Sequence, residues 1–475
     1  MTEFWPEPTE RDRAAYADAE MRPYWLAALP PREPEPPVTG RIETALCIVG
    51  GGYTGLWAAL HAKAGEPTRD VVVLEADTVG FGASGRNGGF VLSSLTHGIG
   101  NGLARFGAEM PVLERLGDEN FAGLQADLER HGIDCAFELT GDLAALLEPY
   151  QDAWIDEEVE LLRRFGHEVE VLDGPAMRAE VASPTYRGGI WDRTGAGLLD
   201  PGRLADGLRA AAQRAGVRIH EHTRAEALRE HGRDAVDVRC SGGAVVRARR
   251  VLLATSAFPP LLRAIRRYVV PVYDYALVTE PLSAAQRDAI GWRRRQGLSD
   301  GANQFHYYRL TSDDRILFGG YDAVYRFRGP VGPEHDDDDH SFARLSAHFF
   351  HTFPQLRDLR FAYRWGGAID TSSRFSVFFG TAHSGRVAYA VGYTGLGVGA
   401  TRFGARVALD LLDGRETEAT RLRYVRTRPV PFPPEPLRFA VVQLTRNRLA
   451  AADRREGRRG LWLRTLDRLG LGFDS

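Results

Sequence analysis

Only three cysteines occur in 475 residues: Cys47, Cys135 and Cys240. They are too few and too unevenly spaced for a disulfide framework, and no C-x-x-C pair offers a metal site, so reduced thiols and a cytoplasmic location are expected. Cys47 falls inside an apolar run and reads as a small core residue. Lysine is scarcer still, because Lys63 is the single lysine and arginine supplies all the other basic residues. An excess spread over the whole chain reflects coding bias rather than one site. No apolar stretch approaches the roughly 18 residues of a transmembrane helix. Met1 to Pro6 is acidic and proline-containing, without the basic-then-apolar order of a secretory leader. A net charge of −3 gives no electrostatic reason to expect nucleic acid. What remains is the composition of a globular chain long enough for two or three domains.

The most informative stretch runs from Ala45 to Gly89. Ala45 to Val49 is an apolar run of the kind that makes a buried parallel strand. Gly50, Gly52 and Gly55 follow at G-x-G-x-x-G spacing with Tyr53 and Thr54 between them, and Leu56, Ala59, Leu60 and Lys63 then recur at helical intervals. Val71 to Leu74 is a second strand that ends in Glu75 and Ala76, with Glu75 20 residues past Gly55. Gly50 permits the tight turn, Gly52 lets a pyrophosphate approach the backbone, and Gly55 lets the helix pack on the strand. The helix N-terminus offers N–H groups to phosphates, and Glu75 can accept from both hydroxyls of a ribose. These parts together predict dinucleotide binding.

A second glycine loop, Gly80 to Gly89, follows almost at once. It suits backbone pressed against a large planar ring, with Ser84, Arg86 and Asn87 reaching phosphate, ribityl or ring atoms. Here the chain resembles the D-amino-acid-oxidase-like flavoenzymes, in particular the branch of gamma-glutamylputrescine oxidoreductases. The residues carrying the resemblance are Ile48 to Gly55, Gly82-Ala83-Ser84-Gly85-Arg86-Asn87-Gly88-Gly89, Leu252-Leu253-Ala254-Thr255, and Gly392-Tyr393-Thr394-Gly395-Leu396-Gly397. The resemblance spans about residues 40 to 430 and implies FAD as cofactor, with Ala225, Ala254 and Thr255 among its contacts and the Gly392 to Gly397 turn facing the flavin N1–C2=O2 edge. Relatives attach flavin through an early-loop His or a later Cys. This loop has no His and no Cys follows Cys240, so noncovalent FAD is expected. Some relatives also set a lysine over the flavin to activate oxygen, a part that only Lys63 could play here.

The implied fold is α/β, α+β overall: a discontinuous Rossmann-like FAD-binding domain (41–95, 196–262 and 366–428) and a mainly antiparallel-sheet substrate domain (96–195 and 263–365). Residues 1–40 read as an arm, with a helix around Arg11 to Met21 and an extended proline-rich linker from Pro30 to Pro37. Trp25 and Leu26 are expected to pack on the main body. The Arg-rich tail, 429–475, is expected to dock on the FAD domain. Asp336 to Asp339, flanked by His335 and His340, reads as a solvated loop rather than a metal site, since adjacent acids do not converge on one ion.

The implied activity is oxidation of the C–N bond of a primary or secondary amine or an amino acid, by hydride transfer to flavin N5 and hydrolysis of the imine, with dioxygen as expected acceptor. A monooxygenase using NAD(P)H and an FAD-carrying subunit of a larger dehydrogenase complex stay open as alternatives. Family architecture sets Tyr273, Tyr275, His306, Tyr307, Arg309, Arg364, Trp365 and Arg374 around the pocket. Strand alternation lets only one of Tyr307 and Tyr308 face it. Aromatic walls suit an amine and an arginine suits a substrate anion, with Arg309 the first choice for that contact. The expected partner is a small-molecule amine; no metal, nucleic acid or oligomeric state is called for by the sequence.

Overall fold

The computed structural model describes residues 4–472. Met1, Thr2 and Glu3, used above in reading the N-terminus, lie outside the described residues.

Two large sheets organise the α/β fold. In the first, the strands Val387–Val391, Val245–Leu253, Arg41–Val49, Val71–Leu74 and Arg218–His220 run parallel in that order. They come from distant parts of the chain, as apolar runs buried on both faces of a parallel sheet can. Val71, Val72 and Val73 have no exposed surface, and each buried valine stabilises the fold by about 1.5–3 kcal/mol. Antiparallel strands Ala225–His231, Ala235–Cys240 and Phe378–Ala382 extend its edges. The helices Tyr53–Gly65 and Gly397–Leu412 leave the carboxyl ends of the first and last core strands and pack on each other.

The second sheet has nine strands among the described residues. Its centre is Val269–Thr279 paired antiparallel with Phe361–Ser372 and Ile316–Gly320, continued by His306–Leu310 and Gly297–Asp300. One face is covered by the helix Asp339–Thr352, and Tyr273, Tyr275 and Leu277 share an aromatic-rich core with it. Alternation turns Ala276 and Val278 to the other face, where they meet Trp25, Trp365 and Tyr307.

The arm departs from expectation. Its helix ends at Ala14, and Glu20–Met21 instead adds a parallel edge strand beside Tyr363 and Arg364. Trp25 is 1% exposed. Buried Glu221 accepts from Arg32, from the Glu35 N–H (2.6 Å) and from the Val79 N–H (2.6 Å), which fixes the proline-rich linker to the first sheet. The tail departs too. Its helices Leu437–Asp453 and Leu461–Arg468 lie against substrate-side segments rather than the nucleotide-binding sheet. Phe439 packs on Tyr325 and Phe327, and Asp453 accepts from Asn303 and Gln304. Its arginines lie amid apolar side chains that matched the aromatic loop 321–327, a target that periodicity alone does not name.

Candidate active site

A cavity of about 1070 Å³ opens at the carboxyl ends of the parallel strands and reaches the second sheet, the place where open α/β sheets bind ligands and the upper end of the size range for small-molecule sites. The first glycine motif forms its floor. A Cβ at Gly50 would collide with the Ala254 carbonyl, one at Gly52 would stand 2.8 Å from Ser84 Oγ, and one at Gly55 would strike the Gly50 carbonyl. Backbone is therefore as close as it can come, leaving Gly50, Gly52, Tyr53 and Thr54 on the cavity wall while Gly55 stays behind it in the helix–strand contact. Glu75 also lines the cavity. Its carboxylate accepts from the Gly51 N–H (2.7 Å) and the Asp77 N–H (3.0 Å), and burial, which outweighs those bonds, raises its pKa. Ala76, Ala225, Ala254 and Thr255 complete this end.

The second glycine loop is held from behind by two tryptophans. Trp25 Nε1 donates to the Asn87 carbonyl (2.8 Å) and Trp365 Nε1 to the Arg86 carbonyl (2.9 Å). Asn87 bonds back to the Ala83 and Ser84 carbonyls, and a Cβ on Gly85 would run into Leu26. Gly82, Ala83, Ser84, Arg86 and Asn87 face the cavity. Gly88 and Gly89 do not; Gly88 is pressed against the Tyr307 ring and Gly89 against Leu199 and Arg309.

The third element is the turn from Gly392 to Gly397. Gly392, Thr394 and Gly395 all have positive φ (86°, 53° and 93°), a conformation that Thr adopts only when its surroundings fix it. Asp370 does so. Its Oδ2 accepts from the Gly392 N–H (2.6 Å) and its carbonyl from the Thr394 N–H (3.2 Å), while Thr394 Oγ1 donates to the Gly392 carbonyl (3.0 Å). Asp370 is 4% exposed, and burial pushes its carboxyl up to about 6. Gly395 and Gly397 line the cavity; Gly392, Thr394 and Leu396 support them from outside it. Asp370 and Tyr393 are cavity residues that the sequence reading missed. Tyr393 adjoins the glycines it did single out, whereas Asp370 has no local signature.

Of the pocket candidates, Tyr273 alone lines the cavity. Tyr275 accepts from Arg326 Nη2 (2.9 Å) and donates to the His335 carbonyl (3.0 Å), beneath the cavity wall. His306 is fully buried between Asp300 (2.7 Å) and His348 (2.9 Å). Tyr307 donates to Asp274 Oδ2 (2.6 Å), and Tyr308 points to the opposite face of its strand, toward Tyr186. Trp365 serves the glycine loop as described. Arg309 is 4% exposed and gives Nη1 to the carbonyls of Leu199 (2.6 Å) and Gly89 (3.3 Å); burial lowers its pKa to about 10. Arg374 is likewise committed to the carbonyls of Thr427, Ser376 and Val377. Arg364 lies over the Tyr16 and Phe342 rings, 3.8 Å from Asp337. None of these three arginines reaches the cavity, because each is consumed by carbonyls or rings of the fold.

The acidic run is in part the solvated loop expected, with Asp337 and Asp339 more than half exposed, but its carboxylates also have specific partners. Asp338 caps the helix Asp339–Thr352, Asp339 accepts from Tyr16 and Arg13, and Asp336 enters the cavity wall opposite Arg86 (2.5 Å). No cluster of three or more metal-ligating side chains occurs among the described residues. Lys63 Nζ donates to the carbonyls of Pro67 and Arg69, at the far end of its helix from the glycine turn.

Comparison with known proteins places this geometry. The family model described as FAD dependent oxidoreductase (DAO) matches residues 45–411. The chain belongs to that family. Among its relatives, gamma-glutamylputrescine oxidoreductase of Escherichia coli is 34% identical over 400 residues, covering 82% of this chain and 88% of the other. A probable oxidoreductase, OrdL, of Haemophilus influenzae is 29% identical over 386 residues, covering 80% and 85%. Glycine oxidase from Geobacillus kaustophilus has the same fold, with a TM-score of 0.67 at 19% identity over 82% of this chain and all of that one. As a member of the DAO family, the protein is an FAD-dependent oxidoreductase acting on amines or amino acids, and the residues present fit FAD. Gly50 and Gly52 present backbone without side chains, Glu75 presents a carboxylate that would suit a ribose, and Gly395, Gly397 and the Gly82–Asn87 loop face the same cavity, where they would hold the ring.

Proposed function

We propose that the protein oxidises the C–N bond of a primary or secondary amine with noncovalently held FAD and dioxygen as acceptor. The observation that carries this reading is the union, in one cavity, of both glycine loops, the Asp370-braced turn and an aromatic–aliphatic wall made by Tyr273, Val331, Ala368 and Ile369. When bound, FAD supplies the ring that takes up a hydride from the carbon bearing the nitrogen.

The chain's own groups have simpler tasks. The N–H groups of Gly395 and Gly397, which line the cavity, and the N-terminus of the helix Gly397–Leu412 set positive potential where negative charge gathers. Among the described residues no acid–base dyad stands free in the wall, which suits an amine that binds neutral and needs no proton removed by the protein. Cys47, Cys135 and Cys240 are all buried, and no histidine occurs in the early loop, which favours noncovalent FAD. The relative from E. coli is named for gamma-glutamylputrescine, a diamine acylated at one end, and that kind of molecule belongs to the substrate class considered.

The test is an anaerobic screen of amines, polyamine conjugates and amino acids for bleaching of the bound flavin, followed by oxygen uptake. Bleaching by an amine without any nicotinamide, with intact FAD released on heat denaturation, is the expected result. A requirement for NAD(P)H, or flavin retained by the precipitated protein, would overturn it.

A further inference from the structure

Charged groups on the cavity wall include Arg263, Arg266, Asp370 and the pair of Arg86 and Asp336. With Arg309, Arg364 and Arg374 committed elsewhere, the ion pair of Arg86 and Asp336 faces the space. The two partners are not equivalent. Arg86 is largely engaged: Nε donates to the Phe81 carbonyl (2.8 Å), Nη1 donates to the Gly366 carbonyl (2.9 Å) and to Asp336 Oδ2, and the guanidinium lies over the Phe81 ring, which leaves Nη2 as its open edge. Asp336 spends one oxygen on Arg86, and no hydrogen bond engages its Oδ1 among the described residues. Burial raises the Asp336 pKa despite the arginine beside it, so its carboxylate is under-compensated and gains from a second cation. Exposed Glu334 and partly exposed Asp337 add negative potential along the same segment. Tyr273, Val331, Ala368 and Ile369 give apolar surface for a methylene chain.

We propose that Asp336 receives a second cationic group of the substrate, an ammonium remote from the C–N bond being oxidised, so that the enzyme selects diamines and polyamines over monoamines and over amines ending in an anion. The inference rests on the amine-oxidation reading above and reverses the anion preference that the arginine-rich sequence suggested. A carboxylate-ended amine could meet Arg86 only at Nη2 and would bring its charge toward Asp336, Glu334 and Asp337. A diamine needs only the open oxygen.

The experiment uses the FAD-loaded enzyme and three probes of similar length: putrescine, n-butylamine and delta-aminovalerate. Dissociation constants come from calorimetry and flavin reduction from anaerobic stopped flow, read separately. Wild type should bind putrescine about tenfold or more tightly than n-butylamine, the effect of one charge-assisted hydrogen bond, and delta-aminovalerate most weakly. Asp336→Asn should bring the putrescine-to-butylamine ratio close to one and, by releasing Arg86, improve delta-aminovalerate binding; Asp336→Glu should restore part of the ratio. Tighter wild-type binding of delta-aminovalerate, or equal losses on all three probes in Asp336→Asn, overturns the role of Asp336. Absence of flavin reduction by every amine, with the binding ratios as stated, overturns the oxidation reading instead.

Discussion

The two halves of this molecule use their distinctive residues in opposite ways. On the nucleotide side, the residues that stand out are glycines, and their function is to be absent: each lets backbone approach something closely. On the substrate side, the residues that stand out are arginines, tyrosines and histidines, and most are turned inward to hold the fold. Arg309 ties together the carbonyls of Gly89 and Leu199, and His306 is locked between Asp300 and His348. A glycine motif reports on backbone geometry that is local in sequence. A charged or aromatic side chain reports only that some partner exists, and that partner lies up to hundreds of residues away.

The sharpest test of this contrast is Gly55→Val. Its side chain would collide with the Gly50 carbonyl, so the variant should lose about 3 kcal/mol or more of stability and its FAD. Thermal unfolding and flavin content measure both, and a yellow protein of wild-type stability would break the glycine half of the comparison. Arg309→Met comes next. Removing the guanidinium takes a donor from the carbonyls of Leu199, Leu310 and Gly89, of which Gly89 keeps the Leu199 N–H, and should cost about 2–4 kcal/mol in chemical denaturation, with KM for anionic and neutral amines moving together. A selective rise in KM for anionic amines would return Arg309 to the site.

The smallest effect concerns Asp370. Its carboxyl is raised from 3.8 to about 6 by burial, so the native state holds the proton more tightly than the unfolded chain. The associated stability is complete below about pH 4 and is lost as pH rises through about 6. Asp370→Asn keeps an acceptor for the Gly392 N–H but does not titrate. Its stability relative to wild type should therefore rise by about 2 kcal/mol between about pH 4 and pH 7. A pH-independent difference in Tm would show that Asp370 keeps an ordinary carboxylate pKa.

The α/β core was legible because its strands are apolar runs and its turns are glycines, both signals carried by neighbouring residues. The bracing of the site was not legible. Trp25 and Trp365 serve one loop from positions 340 residues apart, and nothing in either neighbourhood says so. The acidic run Asp336 to Asp339 looked uniform, yet the helix start at Asp339 turns each carboxylate toward a different partner. Strand alternation separated Tyr307 from Tyr308 correctly but could not say that a strand face toward the other domain stops short of the cavity.

One consequence follows for the order of assembly. Glu20–Met21 joins the second sheet beside Tyr363 and Arg364, and Trp25, four residues later, fastens the loop that ends at Gly89. Residues 20 and 21 therefore cannot dock until residues 363 and 364 have been made. Until residue 365 has been made, the second glycine loop lacks its Trp365 brace and the edge strand that anchors Trp25 has no partner, while the Gly50–Gly55 half of the cofactor site is already in the nascent chain. Tight capture of FAD is thereby deferred until nearly the whole chain exists, which makes the cofactor a late fastener of the finished molecule rather than a seed for its folding.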